Sequence, residues 1–173
     1  VAIGGGSAID VGKLIALMAF QKISVWDLED YADWWRRADI SVIKPIIAIP
    51  TTAGTGSEVG RAAVLINSET KTKKILFHPK MMPSIVIVDP NLTVGLPANL
   101  TAATGFDSLT HALETYCVNN FHPMADGIAC ESIKLVFHNL ENAFINGEDI
   151  DARFCMLCSS LMAGVAFQKG LGA

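Results

Sequence analysis

The chain has 173 residues, of which 51% are hydrophobic and 17% charged, with a formal net charge of -4. A weakly acidic chain without a basic cluster argues against nucleic acid as a partner, and no apolar run stands out as long enough to span a membrane. The four cysteines lack a disulfide-type spacing and no signal peptide is visible, which predicts a cytoplasmic protein.

The first predicted elements are a strand over residues 1–3 and a helix over 7–20, joined by a glycine turn, Gly4-Gly5-Gly6. Three glycines remove every Cβ from the turn, so an anionic group can approach the backbone closely. The helix that follows directs unsatisfied N–H groups and its positive dipole end at such an anion. The spacing fits neither a P-loop nor the dinucleotide fingerprint. A phosphate-binding turn and a plain strand–helix turn therefore both remain open.

The second predicted strand, residues 45–50, is an unbroken apolar run typical of a strand buried on both faces of a parallel sheet. Five of the six residues from Thr51 to Gly56, at the carboxyl end of this strand, are small hydroxyl residues or glycine, and Ser57 follows them. Open α/β sheets bind ligands at that edge, so the stretch is predicted to be a ligand-binding loop. Further strands are predicted at 62–66 and 85–88, followed by a crossover over 89–97.

Beyond residue 97 the periodicity becomes helical, with helices predicted at about 99–118, 123–145 and 149–168. The sequence therefore predicts two parts. A sheet-bearing part would occupy residues 1–97, and a helical part would occupy residues 98–173.

Asp107 and His111 are the candidate metal ligands of the first of these helices. Residues at positions i and i+4 lie on one helical face, so a carboxylate and an imidazole at this spacing can point at the same atom. That pair of donors suits a borderline divalent metal such as Zn²⁺ or Fe²⁺. A local hydrogen-bonded pair is the competing interpretation of the same two residues.

Four motifs occur in a fixed order along nearly the whole chain: GGGSxxDxxK, PTTAGTGSE, DPNLTxxLP and TAATGFDSLTHALE. In this combination the chain resembles the iron-containing (group III) alcohol dehydrogenases. The resemblance implies a dehydroquinate synthase-like fold, in which an α/β domain precedes an all-helical domain and the metal lies between them. Residues 1–97 would be a partial dinucleotide-binding α/β domain with a parallel sheet, and residues 98–173 a partial all-helical, metal-binding domain.

The resemblance also implies a set of contacts with NAD or NADP. Four of the implied residues would lie at the pyrophosphate, four more would line the rest of the nucleotide site, and two would add further contacts. The match to Lys74 requires a one-residue gap, so Lys73 competes with it. The implied contacts are Gly5, Gly6, Ser7 and Asp10, then Thr51, Thr52, Thr55 and Ser57, and finally Lys74 and Leu92.

In the family that the chain resembles, an aspartate and three histidines hold Fe²⁺, with Zn²⁺ as the alternative metal. Asp107 and His111 match the first two of these ligands. The other two belong to a segment that would follow residue 173. The chain is therefore expected to be an internal fragment, truncated at both ends.

The activity implied by the resemblance is hydride transfer between a metal-bound alcohol and NAD(P), with reduction of an aldehyde or ketone in reverse. The expected substrate is a small alcohol or aldehyde, and a homo-oligomer is expected. Two alternatives within the superfamily are a zinc-dependent polyol dehydrogenase and a dehydroquinate synthase-like lyase. A third alternative is an inactive nucleotide-binding fragment. No residue of the chain is an evident general base.

Overall fold

The computed structural model of the chain describes residues 1–170. It divides into two compact units, which we call the sheet unit, Val1–Ile49 with Ser57–Ile87, and the helical unit, Pro50–Gly56 with the residues from Val88 onward. The predicted division of the chain at residue 97 stays a prediction. The last three residues of the predicted helical domain lie outside the described part of the chain.

The sheet unit contains a three-stranded sheet in the order β1-β2-β5. Its strands are β1 (Ala2–Gly4), β2 (Ile47–Pro50) and β5 (Ile85–Val86), and β2 runs parallel to β5. The predicted parallel sheet is thus present. Burial along β2 alternates between half-buried and buried positions, so the expectation that this strand is buried on both faces was wrong.

Helix α1 (Gly6–Met18) follows β1 and packs against it. Ile9, Leu14 and Leu17 form its buried apolar face. A Cβ on Gly12 would lie 2.4 Å from the Cβ of Ala2, so this glycine is what permits the close approach of helix and strand.

A second, antiparallel sheet consists of β3 (Ala62–Asn67) and β4 (Thr72–Phe77), paired from Ala62 with Phe77 to Asn67 with Thr72. Strand β3 was predicted, close to its observed bounds, whereas β4 was not predicted. The hairpin contributes Ala63 and Leu76 to an apolar cluster with residues of α1. The predicted strand at 62–66 therefore belongs to a separate hairpin and not to the parallel sheet.

The helical unit contains α2 (Ala98–Cys117), α3 (Pro123–Ile145) and α4 (Ile150–Ala166), all close to their predicted positions. The buried positions of α2 carry small residues, which let the neighbouring helices approach closely. At the centre, the Ser159 hydroxyl of α4 lies 3.0 Å from that of Ser108 on α2 and 2.9 Å from that of Ser132 on α3.

By length and composition alone, the stretch Ile150–Lys169 could cross a membrane, so the expectation of no such run was wrong. Half of the apolar window in this stretch is buried in the structure, and a core helix passes the same test. Met156 and Leu157 of α4 belong to the apolar core of the helical unit.

Candidate functional site

The N-terminus of α1 is open to an anion. Gly5 is the N-cap and supplies no side-chain hydrogen bond, and the first turn of α1 carries no acidic residue. Gly4 has a φ of 143°, and a Cβ there would lie 2.7 Å from the Cβ of Ala8. The turn thus requires glycine, and the N–H groups of the first turn have no side-chain competitor within this described segment. The predicted contacts Gly5, Gly6 and Ser7 lie at this helix end.

One and two turns further along α1, Asp10 and Lys13 form a polar cluster inside the sheet unit. Lys13 is fully buried, and its ammonium donates to the carbonyls of Ser57 at 2.9 Å and Ala62 at 2.5 Å. The same ammonium lies 3.1 Å from Asp10 Oδ1. Burial lowers the pKa of Lys13, and the charge of Asp10 opposes this shift.

Asp10 and Ser57, both predicted to contact the cofactor, contact each other. The carboxylate of Asp10 accepts hydrogen bonds from the Ser57 hydroxyl and from the Val64 N–H, the latter at 3.0 Å. Because the Asp10 carboxylate accepts these hydrogen bonds and pairs with Lys13, it holds Ser57 and Val64 against α1, near the glycine turn. Its assignment as a direct pyrophosphate contact stays a prediction.

Glu58, next to Ser57, is buried in the same unit, and its Oε1 has no hydrogen-bond partner among the described residues. Burial raises the pKa of Glu58, while a backbone hydrogen bond and the charge of Lys13 lower it. The cluster thus contains one carboxyl that burial drives towards its neutral form. Neither Lys13 nor Glu58 was among the predicted site residues, although both lie within the motifs GGGSxxDxxK and PTTAGTGSE.

Within the helical unit, the backbone of the loop Thr51–Gly56 closely approaches helices α2 and α4. A Cβ on Gly54 would lie 2.9 Å from the carbonyl oxygen of Thr104 on α2. Gly56 has a φ of 60°, and a Cβ there would lie 2.8 Å from the Cα of Gly164 on α4. The predicted contacts Thr51, Thr52 and Thr55 are therefore carried by a loop that rests on the helices.

Asp107 and His111 come together on one face of α2, as their spacing predicts. His111 Nε2 lies 3.8 Å from Asp107 Oδ1, and the two side chains are 23% and 44% exposed. This separation exceeds a hydrogen bond, which argues against the competing local pair. One ion at about 2.0–2.2 Å from each donor can bridge such a gap.

The donor set of the pair, one carboxylate oxygen and one imidazole nitrogen, fits Fe²⁺ or Zn²⁺. The described residues contain no group of three or more histidine, cysteine, aspartate or glutamate side chains that could hold a metal. The metal assignment of Asp107 and His111 accordingly stays a prediction in which this part of the chain supplies two ligands.

The two remaining predicted contacts lie in different surroundings. The ammonium of Lys74, on β4, lies 2.7 Å from Glu29 Oε1, so it already has an anionic partner. Lys73, its neighbour, points to the opposite face of the hairpin and remains the competing candidate. Leu92 is exposed, in the turn Pro90–Thr93 of the helical unit. Both predicted contacts stay predictions.

Comparison with known proteins agrees with these features. A sequence model of iron-containing alcohol dehydrogenases matches residues 1–90, and a model of the C-terminal part of the Fe-containing alcohol dehydrogenase family matches residues 101–172. The chain therefore belongs to the iron-containing alcohol dehydrogenase family. The family resemblance inferred from the motifs is confirmed.

Among curated relatives, the chain is 43% identical over 175 residues to a 4-hydroxybutyrate dehydrogenase of Cupriavidus necator, covering 99% of this chain and 44% of that protein. It is 44% identical over 169 residues to a 1,3-propanediol dehydrogenase of Klebsiella pneumoniae, covering 98% of this chain and 42% of that protein. The chain thus spans less than half the length of these relatives.

Among solved structures, the sulfoacetaldehyde reductase of Bifidobacterium kashiwanohense in complex with NAD+ matches with a TM-score of 0.87 and 39% identity. The match covers 95% of this chain and 43% of the reductase. The predicted fold class, an α/β part followed by an all-helical part, is confirmed.

Proposed function

We propose that this chain is part of an NAD(P)-dependent, metal-containing alcohol dehydrogenase. The enzyme would transfer a hydride between a small alcohol and the nicotinamide, and would reduce the aldehyde or ketone in reverse. The main support for the proposal is the Asp107–His111 pair. Its two donor atoms lie 3.8 Å apart on one face of α2 without a hydrogen bond between them, in a chain that belongs to this family. We further propose a cytoplasmic homo-oligomer.

The chain's own residues would divide the work between two sites. The N–H groups at the start of α1, uncapped by any side chain, would bind the pyrophosphate of NAD or NADP. The buried contacts of Lys13 and Asp10 with Ser57 would hold the start of the 57–59 turn against α1. The threonines of the loop Thr51–Gly56 would contact the remainder of the nucleotide.

Asp107 and His111 would hold Fe²⁺, or Zn²⁺ as the alternative, together with ligands from outside the described residues. The metal, when bound, would supply a positive charge that favours loss of the alcohol proton. Asp107, with 44% of its side chain exposed, and His111, with 23%, leave room for substrate beside them.

Ligand deletion in the full-length protein tests this proposal. Asp107→Ala and His111→Ala should each abolish metal retention and alcohol-dependent NAD(P) reduction, because each removes one of the two donors that this chain provides. Nucleotide affinity should stay within about twofold of wild type, since those contacts come from other elements. Elemental analysis, turnover assays and cofactor titration measure the three properties.

His138→Ala and Asp151→Ala, which change exposed residues elsewhere on the helices, are the matched controls. Both should keep full metal content and turnover. Full metal occupancy in Asp107→Ala would refute the ligand assignment.

A further inference from the structure

Helix α2, which carries the Asp107–His111 pair, satisfies only part of its last turn by its own backbone, since the Val118 N–H donates to the carbonyls of Glu114 and Thr115. Its C-cap residue, Val118, has an extended backbone, and its last turn contains no basic residue. The last carbonyls of a helix need donors from elsewhere. A lysine 54 residues along the chain from Thr115 supplies them: the ammonium of Lys169 donates to the carbonyls of Thr115 at 3.2 Å and Val118 at 3.0 Å.

The charge of Lys169 is also neutralised. Its ammonium lies 2.5 Å from Asp126 Oδ1 in the first turn of α3, and only 2% of the Lys169 side chain is exposed. Three acceptors thus match the three donors of an ammonium group. The negative end of the α2 dipole favours the same cation. Lys169 therefore ties together the end of α2, the start of α3 and the turn that follows α4.

The same turn, Phe167–Lys169, reaches the imidazole of His111. The rings of Phe167 and His111 lie with centroids 4.9 Å apart and planes tilted by 46°. Thr115, whose carbonyl accepts from Lys169, donates its hydroxyl to the His111 carbonyl at 2.8 Å. Lys169 is thus connected to the side chain of His111 through Phe167 and to its backbone through Thr115.

Among the described residues, no hydrogen bond to His111 Nδ1 orients this imidazole. Histidines that ligate metals usually donate their second ring nitrogen to a carboxylate, carbonyl or water, which fixes the ring. His111 Nδ1 is buried and has no such partner among residues 1–170. Packing against Phe167 is therefore a contact that can set the direction of Nε2.

We propose that Lys169 is a positioning residue for His111. By fixing the turn Phe167–Lys169 to the end of α2, Lys169 keeps the Phe167 ring against the imidazole and holds Nε2 beside Asp107. This inference rests on the proposed metal site, but the ring orientation itself can be measured without metal.

The experiment follows the histidine ring protons of the 173-residue chain by NMR, first without metal and then during titration with Mn²⁺. Mn²⁺ is paramagnetic, so it broadens the signals of nearby protons even when it binds weakly. Lys169→Met keeps the aliphatic stem and removes the ammonium, whereas Lys169→Arg retains a cationic donor. Lys134→Met is the matched control, because Lys134 forms only an exposed ion pair with Glu131. His78 and His138 serve as internal references.

In Lys169→Met we expect loss of the nuclear Overhauser contacts between Phe167 and His111, and a Mn²⁺ affinity at His111 about tenfold lower. Lys169→Arg should recover much of both signals, and Lys134→Met should match wild type. Unchanged ring contacts and affinity in Lys169→Met would overturn the proposal.

Two further outcomes separate the proposal from its premise. If Mn²⁺ leaves His111 unaffected in wild type, the proposed metal site fails, while the metal-free ring contacts still decide the positioning role. If Lys169→Met does not fold, Phe167→Leu decides, since it keeps the Lys169 contacts. A loss of about tenfold in Mn²⁺ affinity in Phe167→Leu supports the proposal, and an unchanged affinity overturns it.

Discussion

Lys13 shows what a single buried charge contributes to the sheet unit. Its ammonium joins α1 to the carbonyls of Ser57 and Ala62 and to the carboxylate of Asp10. An ammonium group that is buried away from water needs such partners, because burying an unpaired charge costs free energy. The sequence shows Asp10 and Lys13 three residues apart, but it cannot show acceptors 44 and 49 residues away.

Lys13→Met should destabilise the chain by about 3–5 kcal/mol, because it leaves the partly buried carboxylate of Asp10 without its counter-charge and the carbonyls of Ser57 and Ala62 without their donor. Urea unfolding followed by circular dichroism measures the loss. Lys134→Met, which removes an exposed ion pair, should change stability by no more than about 1 kcal/mol. Equal stability of the two variants would contradict the role given to Lys13.

Glu58 should make stability depend on pH. Burial raises its pKa above the ordinary 4.5, so the folded chain binds this proton more tightly than the unfolded chain. That contribution is fully present below the unfolded pKa and is lost as pH rises through the raised, folded pKa. Glu58→Gln cannot ionise, so its stability relative to wild type should increase with pH across this window.

Denaturant midpoints measured at intervals above pH 4.5 test the prediction for Glu58. Glu69→Gln, at an exposed position in the β3–β4 turn, is the control and should follow wild type at every pH. A constant difference between Glu58→Gln and wild type would show that Glu58 has an ordinary pKa in the folded chain.

At the scale of elements, the sequence predicted the helices better than the strands. Helices α2, α3 and α4 extend over many turns, so their periodicity is well determined, and each lies within two residues of its predicted bounds. Strand β4 was missed because its first half, Thr72-Lys73-Lys74, is polar and exposed or partly exposed. Its pairing with β3 depends on a turn in which Lys71 has a φ of 55°.

The candidate site was predictable only where its partners are close in sequence. The pair Asp107 and His111 follows from one helical turn. The roles of Phe167 and Lys169 do not, because they require the turn after α4 to pack on α2. Contacts of this range come from the tertiary fold, and local pattern contains no signal for them.

Gly56 tests whether the loop Thr51–Gly56 must lie against α4. Ala at this position meets the Gly164 backbone and has to adopt a left-handed conformation. Gly56→Ala should therefore destabilise the chain by about 2–4 kcal/mol. Gly127→Ala is the opposite case, since a Cβ there meets nothing within 4 Å in α3, and it should stabilise by about 0.5–1 kcal/mol.

Chemical unfolding of both glycine variants gives the comparison for the loop. A loss with Gly56→Ala and a gain with Gly127→Ala are expected. A neutral Gly56→Ala would mean that the loop can move away from α4 without cost, and the fixed placement of its threonines would then be wrong.

At the scale of the whole molecule, many of the large hydrophobic side chains lie on the exposed surface. A groove of about 370 Å³ in the helical unit is lined mostly by apolar residues, with Glu141 as its charged member. Three of the lining side chains, Phe106, Phe137 and Phe144, are exposed. A folded domain of this size usually buries such a set. The hydrophobic content of 51% therefore does not indicate an unusually large core among the described residues.

The last prediction concerns the 173-residue chain by itself, which should bind divalent metal weakly and show no dehydrogenase turnover. Asp107 and His111 are two ligands, and the described residues provide no cluster of three, whereas protein metal sites normally use three or four. Alcohol-dependent NAD(P) reduction by the purified chain, with Fe²⁺ or Zn²⁺ supplied, measures this directly. The full-length protein assayed under the same conditions is the control. Turnover by the chain at ordinary dehydrogenase rates of about 1–1000 per second would mean that Asp107 and His111 have further ligand partners within these 173 residues.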